Sequence, residues 1–209
     1  PCVPYALAWG EAICAAGSDQ IVCFYEADSG NVVGRFDYSR DETEKEFTVA
    51  AFNPSGETVV VGSFNRLRVF GAELQVGTWS ERSKIDVENL YTVTALGWKA
   101  DGSSLAVGSL CGGVDLYDAC LRRVRYGGKF EFTYVSASTV IVKRLSTGAR
   151  FVLRSSYGYE IVRVRVYEDR FVGATTHESL LVGDLDSCEL SEVPWAGSGA
   201  ERFIFDGDK

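Results

Sequence analysis

A self-similar period of about 45 residues limits what this chain can fold into, because a repeated unit buries its apolar faces by stacking against its own copies. Tyr5-Ala-Leu-Ala-Trp9 returns as Thr48-Val-Ala-Ala-Phe52 and as Val93-Thr-Ala-Leu-Gly-Trp98, so the terminal aromatics step by 43 and then 46 residues. After each comes a second apolar run that ends on glycine: Ile13-Cys-Ala-Ala-Gly17, Val59-Val-Val-Gly62 and Leu105-Ala-Val-Gly108. A third run closes on an aromatic in Ile21-Val-Cys-Phe-Tyr25, Leu67-Arg-Val-Phe70 and Val114-Asp-Leu-Tyr117.

These runs are rich in β-branched and aromatic residues and lack the i, i+3, i+4 spacing of an amphipathic helix, so they read as strands. Pro54-Ser-Gly56 and Ala100-Asp-Gly102 supply hairpin turn chemistry between the first two strands of their repeats. Four short strands in roughly 45 residues form one blade of a β-propeller, and the expected fold is all-β, built from WD40-type blades. Trp9, Phe52 and Trp98 are then blade-packing aromatics. Gly17, Gly62 and Gly108 mark places where neighbouring blades crowd together.

Beyond Tyr126 the pattern loosens. Val140-Ile-Val-Lys-Arg-Leu-Ser-Thr-Gly148 overlays Leu105 to Gly113 at an offset of 35. The overlay predicts a third strand at Phe151-Val-Leu153 and a compressed fourth within Ser155 to Tyr159. A further blade reads as strands at 161–166, 171–174, 180–182 and 189–193, and Arg202-Phe-Ile-Phe205 opens another. The chain starts at Pro1 and contains no methionine, so it is expected to be a piece of a longer protein that carries more blades.

No run of eighteen apolar residues and no basic segment followed by an apolar one is present, so neither a membrane-spanning helix nor a signal peptide is read here. Cys2, Cys14, Cys23, Cys111, Cys120 and Cys188 show no CxxC pairing, which favours a reducing compartment. The net charge of −8 argues against nucleic acid, but it is unevenly spread. Residues 1–120 carry 8 basic and 17 acidic groups, residues 121–170 carry 11 and 4, and residues 171–209 carry 2 and 8. The basic island holds Arg122, Arg123, Arg125, Lys143, Arg144, Arg150, Arg154, Arg163 and Arg165. Strand alternation points Arg123 with Arg125, and Arg163 with Arg165. The island is read four ways: a scattered solvated surface, a seat for an acidic protein, a contact with an anionic membrane surface, or a clamp to the acidic flanks.

Catalytic and ligand motifs are absent. His177 is the sole histidine, so a zinc site would need clustered thiols that the sequence does not offer. Ser179 and Cys188 follow it without a GxSxG elbow. Cys111-Gly112-Gly113 reads as a hairpin turn. Asp184-Leu-Asp186 fails as a calcium loop, with Glu189 in the glycine position and Trp195 in the closing glutamate position. Gly127-Gly128-Lys129 lacks the upstream glycine of a phosphate-binding loop. The acidic run from Asp37 to Glu46 reads as a solvated connection that could also hold a partner loop. No cofactor, metal, nucleic acid or small-molecule substrate is expected.

Particular strings go beyond the spacing. Phe36-Asp-Tyr-Ser-Arg-Asp-Glu42, Leu90 to Trp98 continuing to Leu110-Cys-Gly-Gly-Val114, and Tyr157-Gly-Tyr-Glu160 resemble the N-terminal WD-repeat region of the intraflagellar transport 172 family. Cys120-Leu-Arg-Arg123, Lys129 to Val135, Val140 to Lys143, and Leu190 to Gly199 extend the resemblance in the same order. It implies a peripheral subunit of intraflagellar transport complex B with two N-terminal propellers and a helical-repeat tail. Residues 1–126 would be the last three blades of the first propeller, and residues 127–209 the opening blades of the second, truncated in mid-repeat. The resemblance also implies a non-enzymatic scaffold that supports train assembly and cargo movement, located in the cilium or flagellum and at its base. Its partners would be other complex B subunits. The alternatives are a vesicle-coat-like scaffold and a propeller that binds anionic membrane.

Overall fold

The computed structural model describes residues 3–73 and 76–196. Among them every regular element is a strand, and the chain divides into one compact unit from Pro1 to Ala119 and another from Cys120 to Lys209. The first unit holds three antiparallel meanders. Sheet 1 contains β1 (Pro4–Trp9), β2 (Ile13–Gly17), β3 (Ile21–Tyr25) and β4 (Val32–Asp37). Sheet 2 contains β5 (Val49–Phe52), β6 (Thr58–Ser63), β7 (Arg66–Glu73) and β8 (Thr78–Asp86). Sheet 3 contains β9 (Val93–Trp98), β10 (Ser104–Ser109) and β11 (Val114–Asp118).

Sequence chemistry explains the turns. Gly56 and Gly102 take φ of +79° and +72°, a left-handed conformation that glycine adopts without Cβ strain, and each donates its N–H back across the turn. In sheet 2, β6 is apolar without alternation because it is buried on both faces. Val59 and Val61 point toward sheet 1, while Val60 points toward sheet 3.

Between sheets 1 and 2 lie Val22, Phe24, Phe47, Val59, Val61 and Phe70, with the rings of Phe24 and Trp79 stacked at 4.5 Å. Between sheets 2 and 3 lie Val60, Leu67, Val93, Leu105 and Val107. The first strands β1, β5 and β9 lie side by side. A Cβ added at Gly62 would stand 2.8 Å from the Cβ of Val93 in the next sheet. At Gly108 the nearest atom to such a Cβ is 3.4 Å away and belongs to Ala95 of the same sheet. Gly17 contributes its carbonyl, which accepts from the Phe47 N–H. Phe52 lies edge-on to Trp79 at 5.6 Å, and Trp98 is half-buried with its indole N–H donating to the Ala51 carbonyl at 3.2 Å. Trp9 is 73% exposed, as is Leu7 at 70%, because among the described residues nothing covers that face of β1.

The second unit holds two complete four-stranded meanders. Sheet 4 contains β12 (Arg122–Tyr126), β13 (Phe130–Tyr134), β14 (Thr139–Arg144) and β15 (Arg150–Arg154). Sheet 5 contains β16 (Arg163–Tyr167), β17 (Phe171–Thr175), β18 (Ser179–Asp184) and β19 (Glu189–Pro194). Sheet 5 follows the predicted strands. Sheet 4 shifts the predicted strands by one. The Val140 run is the third strand instead of the second, Phe151-Val-Leu153 lies in the fourth instead of the third, and Ser155 to Tyr159 is a turn, with Ser155 and Ser156 held by the Glu192 carboxylate. Arg122–Tyr126 opens this sheet, with Val124 opposite Phe132. Arg123 and Arg125 share one face of it, as alternation predicts, but the strand belongs to the sheet that follows it in sequence. Gly127 and Gly128, both at positive φ, form the hairpin turn to β13. The compact units therefore part between Ala119 and Cys120, ahead of the expected seam at Tyr126. Phe130, Phe132, Val140, Val142, Leu153, Val164, Val172 and Leu181 fill the space between the two sheets. The strand expected at Arg202–Phe205 lies outside the described residues.

Replacing Gly62 with alanine forces β6 and β9 apart. We expect Gly62→Ala to cost ~1–3 kcal/mol, the range for overpacking a core, read as a lowered melting temperature. An unchanged melting temperature would show that the two sheets are not in contact there.

Candidate interaction site

Strand pairing sorts the nine residues of the basic island. Across sheet 4, Arg125, Glu131, Lys143 and Arg150 stand opposite one another in one row, and Arg123, Thr133, Ile141 and Val152 in the next. Arg154 stands opposite Thr139 on the same face. Five cations thus share the face turned away from the core with one carboxylate. The first row spans three strand spacings, about 14 Å. Arg123, Arg125, Arg150 and Arg154 are exposed, and Lys143 is half-buried.

Arg122 and Arg144 lie on the core-facing side of the same sheet. The Arg122 guanidinium stacks over the Tyr134 ring at 3.9 Å, and Arg144 donates to the Asp186 carboxylate at 2.9 Å and the Asp169 carbonyl at 2.8 Å. Arg163 and Arg165 belong to β16, opposite Thr175 and Gly173, on the face away from Val164. The island is therefore three groups, of which the five-cation face has the chemistry to hold an extended acidic surface.

The failed calcium loop is used internally. Asp184 accepts a two-pronged contact from Arg170 at 2.6 and 2.9 Å, and these bonds hold its carboxyl down at about 2. His177 is exposed in the turn between β17 and β18. Cys111 is exposed in the turn after β10, where a hydrogen bond with Ser109 lowers its thiol pKa. Among the described residues, no group of three or more His, Cys, Asp or Glu is placed to hold a metal ion.

The acidic connection from Asp37 to Glu46 exposes Asp37, Glu42 and Glu46, as a solvated loop would, and departs from that expectation at Glu44. Glu44 is 1% exposed and accepts from Ser63 at 2.8 Å, Arg66 at 3.0 Å and Arg68 at 2.6 Å. Arg68 also pairs with Glu81, lies 3.7 Å over the Tyr38 ring, and shares Glu81 with the Tyr38 hydroxyl. Arg66 pairs with Asp86. Two arginines meet one carboxylate because Arg66 and Arg68 are alternate residues on β7 and so project from one face. The signal was legible as an Arg-x-Arg pair inside an otherwise apolar strand, following an acidic connection.

Burial pushes the Glu44 carboxyl up, but the hydrogen bonds from Ser63, Arg68 and Arg66 outweigh it, and the net displacement is below the ordinary 4.5. A carboxyl lowered on folding contributes stability that is complete above its unfolded value and is lost as pH falls through the folded one. We expect thermal stability to drop on acidification below about pH 4.5, and Glu44→Gln to flatten part of that drop. Glu44→Ala, which strands two guanidiniums, should cost ~3–5 kcal/mol at neutral pH. A variant as stable as the parent would place Glu44 in solvent.

No protein-family model matches the chain. It is 57% identical to an intraflagellar transport protein 172 homolog of Danio rerio over 99% of its length. It is 51% identical to intraflagellar transport protein 172 of Chlamydomonas reinhardtii and 50% identical to the Homo sapiens homolog, each over 100% of its length. The chain spans 12% of the length of each of these curated relatives. Among solved structures, Saccharomyces cerevisiae Sqt1 aligns with 91% of this chain and 62% of its own at 13% identity and a TM-score of 0.47. That similarity is too slight to bear weight, and the all-β blade fold rests on this chain's own sheets. From end to end, the chain is homologous to a segment of intraflagellar transport protein 172 as found in several species.

Proposed function

We propose that this chain is a non-enzymatic scaffold segment of an intraflagellar transport complex B subunit, working in the cilium or flagellum and at its base, on the cytoplasmic side. The observation that carries the reading is identity of 50–57% over essentially the whole chain to relatives named for that transport. Its sheets 1 to 3 are the closing blades of one propeller, and sheets 4 and 5 the opening blades of a second. In keeping with a scaffold role, three carboxylates of the described residues are used within the chain. Glu44, Asp184 and Glu192 each accept several bonds from this chain.

The partner-facing surface in this reading is the outward face of sheet 4, with Arg123, Arg125, Lys143, Arg150 and Arg154. A complex B subunit presenting carboxylates would meet it. The same charge gives the second reading, contact with an anionic membrane. Purification of tagged full-length protein from ciliated cells tests both. We expect complex B subunits to co-purify, and to be lost when Arg123, Arg125, Arg150 and Arg154 are all replaced by Glu, with the melting transition retained. Raised salt should weaken the association, since exposed charges are screened beyond about 10 Å at 0.1 M. Recovery of the subunits by the variant, together with loss of binding to phosphatidylserine vesicles, would favour the membrane. If neither binding changes and the melting temperature falls, the face is an internal clamp.

A further inference from the structure

Among the described residues, seven other than glycine take a positive φ, and Tyr91, at +57°, is the one with an aromatic ring. A bulky side chain adopts left-handed backbone only where its surroundings hold it there. Asn65 does the holding. Its N–H donates to the Tyr91 carbonyl at 2.9 Å, and its side-chain oxygen accepts from the Tyr91 N–H at 2.5 Å. Asn65 and Phe64 form the two-residue loop between β6 and β7, and the Asn65 carbonyl accepts from the Val87 N–H at 2.9 Å. The neighbouring Phe64 bridges to Thr92.

The rings so positioned reach solvent. Tyr91 is 45% exposed and Phe64 42%, and they lie edge-on at 6.3 Å. Core packing does not account for strain kept to hold an exposed ring, and strain of that kind points to a use for the ring. We propose that Phe64 and Tyr91 are a seat for an arginine side chain on a basic segment of a partner protein, with Glu42 and Glu88 as its carboxylate rim. The inference is independent of the transport reading and of the sheet 4 face.

Charge chooses the guest. Ser63 and Arg66, which flank the Phe64–Asn65 loop, both donate to Glu44, so the acidic connection runs along one side of that loop. The turn of residues 87–90 is bonded to its other side through Val87. In these two segments and the adjoining end of β8, Asp41, Glu42, Glu46, Asp86 and Glu88 reach solvent against Arg40, Lys45 and Lys84. Arg66 and Arg68 are buried against Glu44. The surface around the rings is therefore net negative and attracts cations. Asp86 is already paired with Arg66 and Lys84, whereas Glu42 and Glu88 are exposed on either side of the loop. A guanidinium satisfies both features, since its plane stacks on an aromatic face while its N–H groups reach carboxylates.

The probe is a capped peptide, Gly-Ser-Arg-Gly-Arg-Ser-Gly, titrated into fluorophore-labelled full-length protein and followed by thermophoresis. Its counterpart with citrulline for arginine, equally planar but uncharged, is the control. We expect the arginine peptide alone to bind, with a Kd of roughly 1 mM or tighter. Tyr91→Gly removes the ring and relieves the backbone at once. It should weaken binding about tenfold while the melting temperature holds or rises, a combination that a packing ring would not give. Phe64→Ala should weaken binding likewise, and Tyr91→Phe should retain it. Glu42→Gln with Glu88→Gln should lower the affinity and flatten its dependence on salt. The inference fails if no binding saturates, if the citrulline peptide binds equally, or if binding survives Tyr91→Gly. It also fails if Tyr91→Gly lowers the melting temperature, which would make the ring a packing residue. Self-association of the protein that Tyr91→Gly abolishes would assign the seat to a second copy and overturn the proposal.

Discussion

A sheet whose two faces are both apolar is unstable alone, and sheet 2 is such a sheet. Its central strand carries three consecutive valines, two buried against sheet 1 and one against sheet 3. Burying one valine side chain contributes about 1.5–3 kcal/mol, so stacking sheets in series is what stabilises this chain, and every blade depends on its neighbours. The requirement for close approach explains the choice of glycine at position 62. Large rings such as Phe24, Phe70 and Trp79 gather instead between sheets 1 and 2.

Much of this was legible in the sequence because the repeat writes the same physical demand several times. The first three strands of sheets 1 to 3, and β16 to β19, coincide with the strands that the sequence pattern marks between turn residues. The glycines at positions 56 and 102 stand where left-handed backbone is needed. Legibility failed where a strand had one polar face at a domain's start. Arg122-Arg-Val-Arg-Tyr126 was read as a strand with Arg123 and Arg125 on one face, but it was left with the repeat before it, and the fourth blade was placed one strand out of register as a result. Trp9 is exposed because, among the described residues, no sheet covers that face of β1. An aromatic at the repeat position shows which face is apolar, whereas burial requires a neighbour on that face.

The polar features were less legible because their partners are distant in sequence. Nine cations in one stretch looked like one patch, but a strand sends alternate residues to opposite faces. Hairpin register then decides which strands contribute to each row. Arg122 and Arg144 were thereby separated from the other sheet 4 cations. Glu44 is the converse case. It lies in a run of carboxylates that composition alone would leave in water, and only the pairing of β7 brings Arg66 and Arg68 beneath it.

The burial of Glu44 also constrains the order of assembly. An ionised carboxylate can leave water only when its guanidinium and hydroxyl partners are in place, and those partners come from β6 and β7. The connection between β4 and β5 can therefore be sealed only where β6 and β7 are paired beneath it. In this chain the acidic connection is a strap that ties the link between the first two blades down onto the second.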